Sequence, residues 1–63
     1  MADELEQCQS EALALCNKLI SELKRNQEEA GTFFGGEIHK AYVTSTEKAI
    51  NSTQNIKNRL KKL

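Results

Sequence analysis

The chain has 63 residues, 38% of them hydrophobic and 29% charged, with nine basic and nine acidic side chains that leave no formal net charge. That length allows one domain, and a core this small typically supplies only about 3–5 kcal/mol without a staple. The even charge balance excludes a strongly basic nucleic-acid binder, and the longest apolar run, Ala12–Cys16, excludes a membrane span or secretory signal.

The first predicted element is a helix over about residues 3–29. Asp3 followed by Glu6 reads as an N-cap with its capping-box partner, and Leu5, Cys8, Ala12, Leu15, Leu19 and Leu23 then recur at helical spacing. Leu13, Cys16 and Ile20 widen this stripe on one flank. Gly31 is placed to end the helix in a left-handed conformation. Cys8 and Cys16 lie about 12 Å apart along such a helix, too far for a disulfide within it, and read as reduced, buried side chains. That usage fits a cytoplasmic protein.

Residues 30–36 hold all three glycines and both phenylalanines, and are expected to form the loop where the chain turns back. At least one of Phe33 and Phe34 is expected to fold over the end of the hairpin. The alternative is an exposed aromatic anchor that enters a partner's pocket.

A second helix is predicted over about residues 37–62. Ile38, Tyr42, Ser45, Ala49, Ser52, Ile56 and Leu63 form one heptad-like stripe, with Val43, Thr46, Ile50, Thr53 and Leu60 beside it. Its many Ser, Thr and Asn residues compete for backbone hydrogen bonds and weaken it in isolation. A start near Ser45, capped by Thr44 and Glu47, would instead leave Thr32–Val43 as an extended arm or a pair of strands.

Charge is sorted between the two helices. Residues 1–30 carry three bases against seven acids, a net −4, and residues 31–63 carry six bases against two acids, a net +4. Folding back at the glycines places acidic Asp3–Glu11 beside basic Lys57–Lys62, and each cluster suits its own helix macrodipole. The expected fold is all-α, an antiparallel two-helix hairpin. The first stripes are expected to face each other, which leaves Leu13, Cys16 and Ile20 on one helix and Val43, Ile50 and Leu60 on the other to be covered. At about 1.5–3 kcal/mol for each wet Leu or Ile, these six positions rival the stability of the whole chain. Dimerisation, or docking on a larger helical partner, would complete a four-helix bundle.

Catalytic constellations fail on inventory. His39 is the single histidine, with no nucleophile elbow or orienting carboxylate, and a pH-sensing role would need an acid such as Glu37 beside it. Cys8, Cys16 and His39 lack the number and spacing of zinc ligands, and Gly35-Gly36 lacks the lysine of a phosphate loop. No enzyme, metal or cofactor is expected.

In the second helix Tyr42, then Lys48-Ala49-Ile50, then Asn55-Ile56 resemble the small helical-hairpin co-chaperones of the type III secretion needle subunit. The resemblance implies a cytoplasmic protein that joins a larger helical-repeat chaperone and holds the needle subunit unpolymerised. It would place Tyr42, Ala49, Ile50 and Ile56 in the partner interface. The Gly-Thr-Phe-Phe-Gly-Gly loop and the basic C-terminal end depart from the family's pattern. The expected function is a protein-interaction module with chaperone or adaptor duty, contacting its partner or itself through Leu13, Cys16, Ile20, Phe33, Phe34, Tyr42, Val43, Ala49, Ile50, Ile56 and Leu60. The alternatives are a dimeric regulator binding nucleic acid through Lys57, Arg59, Lys61 and Lys62, and a segment of vesicle-tethering machinery, since the stretch Asn55–Lys62 faintly resembles a syntaxin bundle helix.

Overall fold

A computed structural model describes residues 2–63, with side chains from Asp3 onward. Two helices account for nearly all of it: α1, Ala2–Phe33, and α2, Gly36–Lys61. They pack against each other as an antiparallel hairpin 51 Å long, and the described residues contain no strand. The radius of gyration, 15.0 Å, exceeds the roughly 11 Å expected of a compact chain of this length, so the molecule is a rod.

The first helix is longer than predicted, the second has the predicted length shifted one residue toward the turn, and the turn is correspondingly shorter. Asp3 lies inside the first turn of α1 rather than capping it, where with Glu4 it still opposes the positive end of the helix dipole. Ala30 and Gly31, expected in the loop, are helical, and the Phe34 amide closes the last turn on the Ala30 carbonyl at 2.8 Å. Gly31 is therefore not a stop signal. A Cβ at this position would meet the His39 imidazole at 3.1 Å, so the glycine answers to the close approach of α2. The strand and late-start alternatives for residues 32–45 are likewise overturned, because α2 runs unbroken from Gly36. Thr44 instead donates its hydroxyl to the Lys40 carbonyl at 3.0 Å, inside the helix.

Only Phe34 and Gly35 separate the helices. The reversal is made by Gly35, extended at φ −112°, and by Gly36, whose φ of +57° is the left-handed region that penalises a side chain. Gly36→Ala should cost about 1–2 kcal/mol and lower the melting midpoint by several degrees. Gly35→Ala should change it little, since nothing lies within 4 Å of the added methyl. Thermal melts followed by circular dichroism distinguish the two.

The register is pinned near both ends by glutamines of α1. The Gln9 side-chain amide donates to the Leu60 carbonyl at 2.5 Å, and that of Gln27 donates to the Thr46 hydroxyl at 2.5 Å and the Val43 carbonyl at 3.4 Å. The sequence between these contacts is nearly equal on the two helices, which sets Ile20 level with Ile50 halfway along. Those two are 8% and 7% exposed, and Ala30 at 4% lets the backbones approach near the turn.

The remaining buried residues are Thr46 and Thr53. Their hydroxyls turn back on α2 itself, Thr46 to the Tyr42 carbonyl at 2.9 Å and Thr53 to the Ala49 carbonyl at 2.8 Å. A threonine bonded in this way enters a seam without an orphaned polar group, and its small volume permits close packing.

Candidate interaction face

The burial pattern reverses the expected assignment of stripes. Leu13, Cys16 and Ile20 on α1, and Val43, Ile50 and Leu60 on α2, were expected as surplus apolar flanks awaiting a partner. All six are buried or half-buried in the seam of the hairpin itself. Most of the stripe expected to form that seam lies outside: Leu15 is 66% exposed, Ile38 66% and Ile56 54%, and Leu19, Ala49 and Cys8 are exposed with them, while Ala12, Leu23 and Tyr42 of the same stripe are half-buried. Cys8 is therefore not the buried side chain expected of it, while Cys16 is half-buried and also unbridged.

The outer residues form one surface because of where they stand relative to the seam. Each immediately precedes an inward residue: Leu15 precedes Cys16, Leu19 precedes Ile20, Ile38 precedes His39, Ala49 precedes Ile50, and Ile56 precedes Lys57. One step along a helix rotates about 100°, and in an antiparallel pair the same step on both helices leads to the same side of the hairpin. Tyr42 and Asn26 stand at the corresponding positions and meet: the tyrosine hydroxyl donates to the Asn26 side-chain oxygen.

Residues that immediately follow the seam line the opposite side. Ser10, Asn17, Ser21, Lys24 and Glu28 on α1, with Lys40, Thr44, Glu47, Asn51, Gln54, Asn58 and Lys61 on α2, make it almost wholly polar. The hairpin thus has a wet face and a greasier one, the latter also carrying Glu22, Asn26, Glu29, Ser45, Ser52 and Arg59 beside its apolar residues.

Phe33 and Phe34 do not fold over the end of the hairpin as expected. Phe33 is 82% exposed and Phe34 about half exposed, so the aromatic pair stands out at the turn. At the other end a shallow concavity of about 330 Å3 is walled by Ile56, Arg59, Leu60 and Leu63.

The acidic start of α1 and the basic end of α2 lie at the same end of the rod, as the Gln9–Leu60 contact requires, but no ion pair joins them among the described residues. The one ion pair there is Arg25–Glu29 at 4.0 Å, one turn apart on α1, exposed and of little energetic weight. No three of His, Cys, Asp and Glu gather to hold a metal ion among the described residues, and no described helix is long and apolar enough to cross a membrane.

Two residues that position the site went unread in the sequence, Gln9 and Gln27. Both fall on the helical spacing of Leu13, Cys16, Ile20 and Leu23, and a polar residue in register with a seam is the signal that could have found them. Comparison with protein-family models, with curated proteins and with solved structures finds no match to this chain.

Proposed function

We propose that the chain is a non-enzymatic protein-interaction module, a small chaperone or adaptor subunit of the kind the needle co-chaperones represent. One observation carries this reading: the large aliphatic residues Leu15, Leu19, Ile38 and Ile56 stand exposed on one side, while the seam between the helices is partly polar. An exposed cluster of large apolar residues such as Leu15, Leu19 and Ile56, backed by a polar face, marks a site of association. Tyr42, Ala49 and Ile56, three of the four residues that the family resemblance assigns to a partner, lie on this side. Ile50, the fourth, is buried in the seam.

The nucleic-acid alternative draws on Lys57, Arg59, Lys61 and Lys62 being without ion-pair partners across the hairpin. Asp3, Glu4, Glu6 and Glu11 at the same end cancel their field, which disfavours it.

Ala49→Glu tests the reading, because Ala49 is exposed in mid-helix and glutamate is a good helix former. Purified from cells that express it, the tagged native chain should carry a helical-repeat protein in fixed proportion. The variant should lose that protein while its circular dichroism stays native. A native chain that carries nothing, or a variant that carries the same protein equally well, contradicts the proposal.

A further inference from the structure

The apolar stripes of the two helices fit together in a second way. At about 100° per residue, Leu13, Cys16, Ile20, Leu23 and Gln27 of the α1 seam lie within about 40° of one line along the helix. If α1 ran on through the turn as one helix, Phe34, Ile38, Ala49 and Ile56 would fall within about 40° of that same line, with Ser45 and Ser52 between them. These residues are exposed in the hairpin, whereas Val43 and Ile50 of its seam would stand roughly 150° away. Thus α2 carries two stripes, one that completes α1 by folding back and one that extends it.

We infer that the turn is a latch: the hairpin is the closed state of a chain whose open state is a single continuous helix, paired antiparallel with a second open copy. What covers the outer face of the closed hairpin has no bearing on this.

Little holds the latch besides two glycines. The Phe34 amide already continues α1 by bonding the Ala30 carbonyl at 2.8 Å, and α2 resumes at Gly36, so the reversal is confined to Gly35 and the positive φ of Gly36. No side chain packs over either glycine, since nothing lies within 4 Å of a Cβ built on them. Opening would also bury what closure leaves wet: Ile38 is 66% exposed, Ile56 54% and Phe34 47%.

The partner of the open helix follows from shape and charge. Bulky Leu13, Ile20 and Leu23 occupy one half of the continuous stripe, and small Ser45, Ala49 and Ser52 the other. In an antiparallel pair centred on Gly36, Leu23 comes level with Ala49, Ile20 with Ser52, Cys16 with Ile56 and Phe34 with Ile38 of the other copy, so that large faces small along most of the contact. A parallel pair would set Ser45, Ala49 and Ser52 against themselves and leave voids. It would also align two halves of net −4 and two of net +4, where the antiparallel pair places opposite charges together.

Removing the latch tests this. Gly35→Ala and Gly36→Ala together penalise the left-handed residue of the turn and favour uninterrupted helix. In sedimentation and small-angle scattering the native chain should keep the 51 Å length of the hairpin. The double variant should form a dimer about 100 Å long, as two helices spanning Ala2–Lys61 and centred on Gly36 give at about 1.5 Å per residue. Dependence on single residues should change over with the state. In the double variant, Ile56→Asp should weaken the dimer on the order of 100-fold, because two isoleucines lose their burial, and Ile50→Asp should leave it intact. In the native chain the order reverses, with Ile56→Asp folded and Ile50→Asp not. A double variant that stays at hairpin length or unfolds overturns the latch, because both alanines favour the continuous helix; so does a long dimer that needs Ile50 rather than Ile56. With Cys8→Ser added, oxidation should not link the two copies, since Cys16 faces Ile56. A Cys16–Cys16 disulfide across the long dimer overturns the antiparallel pairing.

Discussion

Ile50→Asp should unfold the hairpin. Ile50 is 7% exposed at the middle of the seam, level with Ile20, and the nearby α1 cation, Lys24, is exposed and solvated in a shallow concavity beside it, where it offsets little of the cost of a carboxylate held in the seam. An uncompensated buried charge costs about 3–5 kcal/mol, to which the lost burial of the isoleucine adds about 2 kcal/mol. A chain of 63 residues has roughly 3–9 kcal/mol in all at the usual stability per residue. Circular dichroism at room temperature should show most of the helical signal gone, whereas Ile50→Val, costing about 0.5–1.5 kcal/mol, should keep it. A folded Ile50→Asp variant with a native melting midpoint would mean that the seam runs elsewhere.

Leu19→Asp should act on association first. Leu19 belongs to the outer stripe and is 46% exposed, so a carboxylate there stays solvated in the hairpin and is desolvated only where the proposed partner covers the face. Losing the burial of one leucine, about 1.5–3 kcal/mol, amounts to a roughly 10- to 150-fold rise in the dissociation constant for that partner. The melting midpoint of the native chain should climb when the partner is added, because binding stabilises by mass action. That of Leu19→Asp should climb far less, and without partner it should match the native chain. An unchanged dissociation constant would exclude Leu19 from the contact.

The contrast between these two positions shows what could be read from the sequence and what could not. Two helices, their antiparallel sense and the turn at the glycines follow from apolar spacing and from Gly35-Gly36, and the structure has all three. Which stripe faces inward does not follow, because Leu19 and Ile20, like Ala49 and Ile50, are adjacent and both apolar. Spacing alone ranks the two stripes equally, and side-chain size does not separate them: Leu15 exceeds Cys16, Leu19 matches Ile20, and Ile50 exceeds Ala49. The inner stripe is distinguished by polar residues that satisfy themselves there: Thr46 and Thr53 through their own helix, Gln9 and Gln27 through carbonyls and a hydroxyl of α2. A pattern of apolar positions gives no weight to such residues, although they select the register and the face.

The helix boundary near Gly31 is not legible in the sequence for a related reason. Glycine serves both for left-handed backbone and for close approach, and only the position of His39 on the other helix distinguishes the two uses. Gly36, one of the remaining pair, does have the positive φ that the turn requires. The site changed with the seam: of the eleven residues expected at a partner surface, Ala49, Ile56, Phe33 and Phe34 stand exposed, Tyr42 lies at the margin of the greasy face, and the other six hold the hairpin together.

Methyl contacts from nuclear Overhauser spectra of a sample mixing labelled and unlabelled chains test the two-faced hairpin most directly. The expected result is a contact between Ile20 and Ile50 confined to a single chain, with Leu15, Leu19, Ala49 and Ile56 making no such contact across their own hairpin. Contacts within one chain between Leu19 and Ala49, with Ile20 and Ile50 open to solvent, would contradict it.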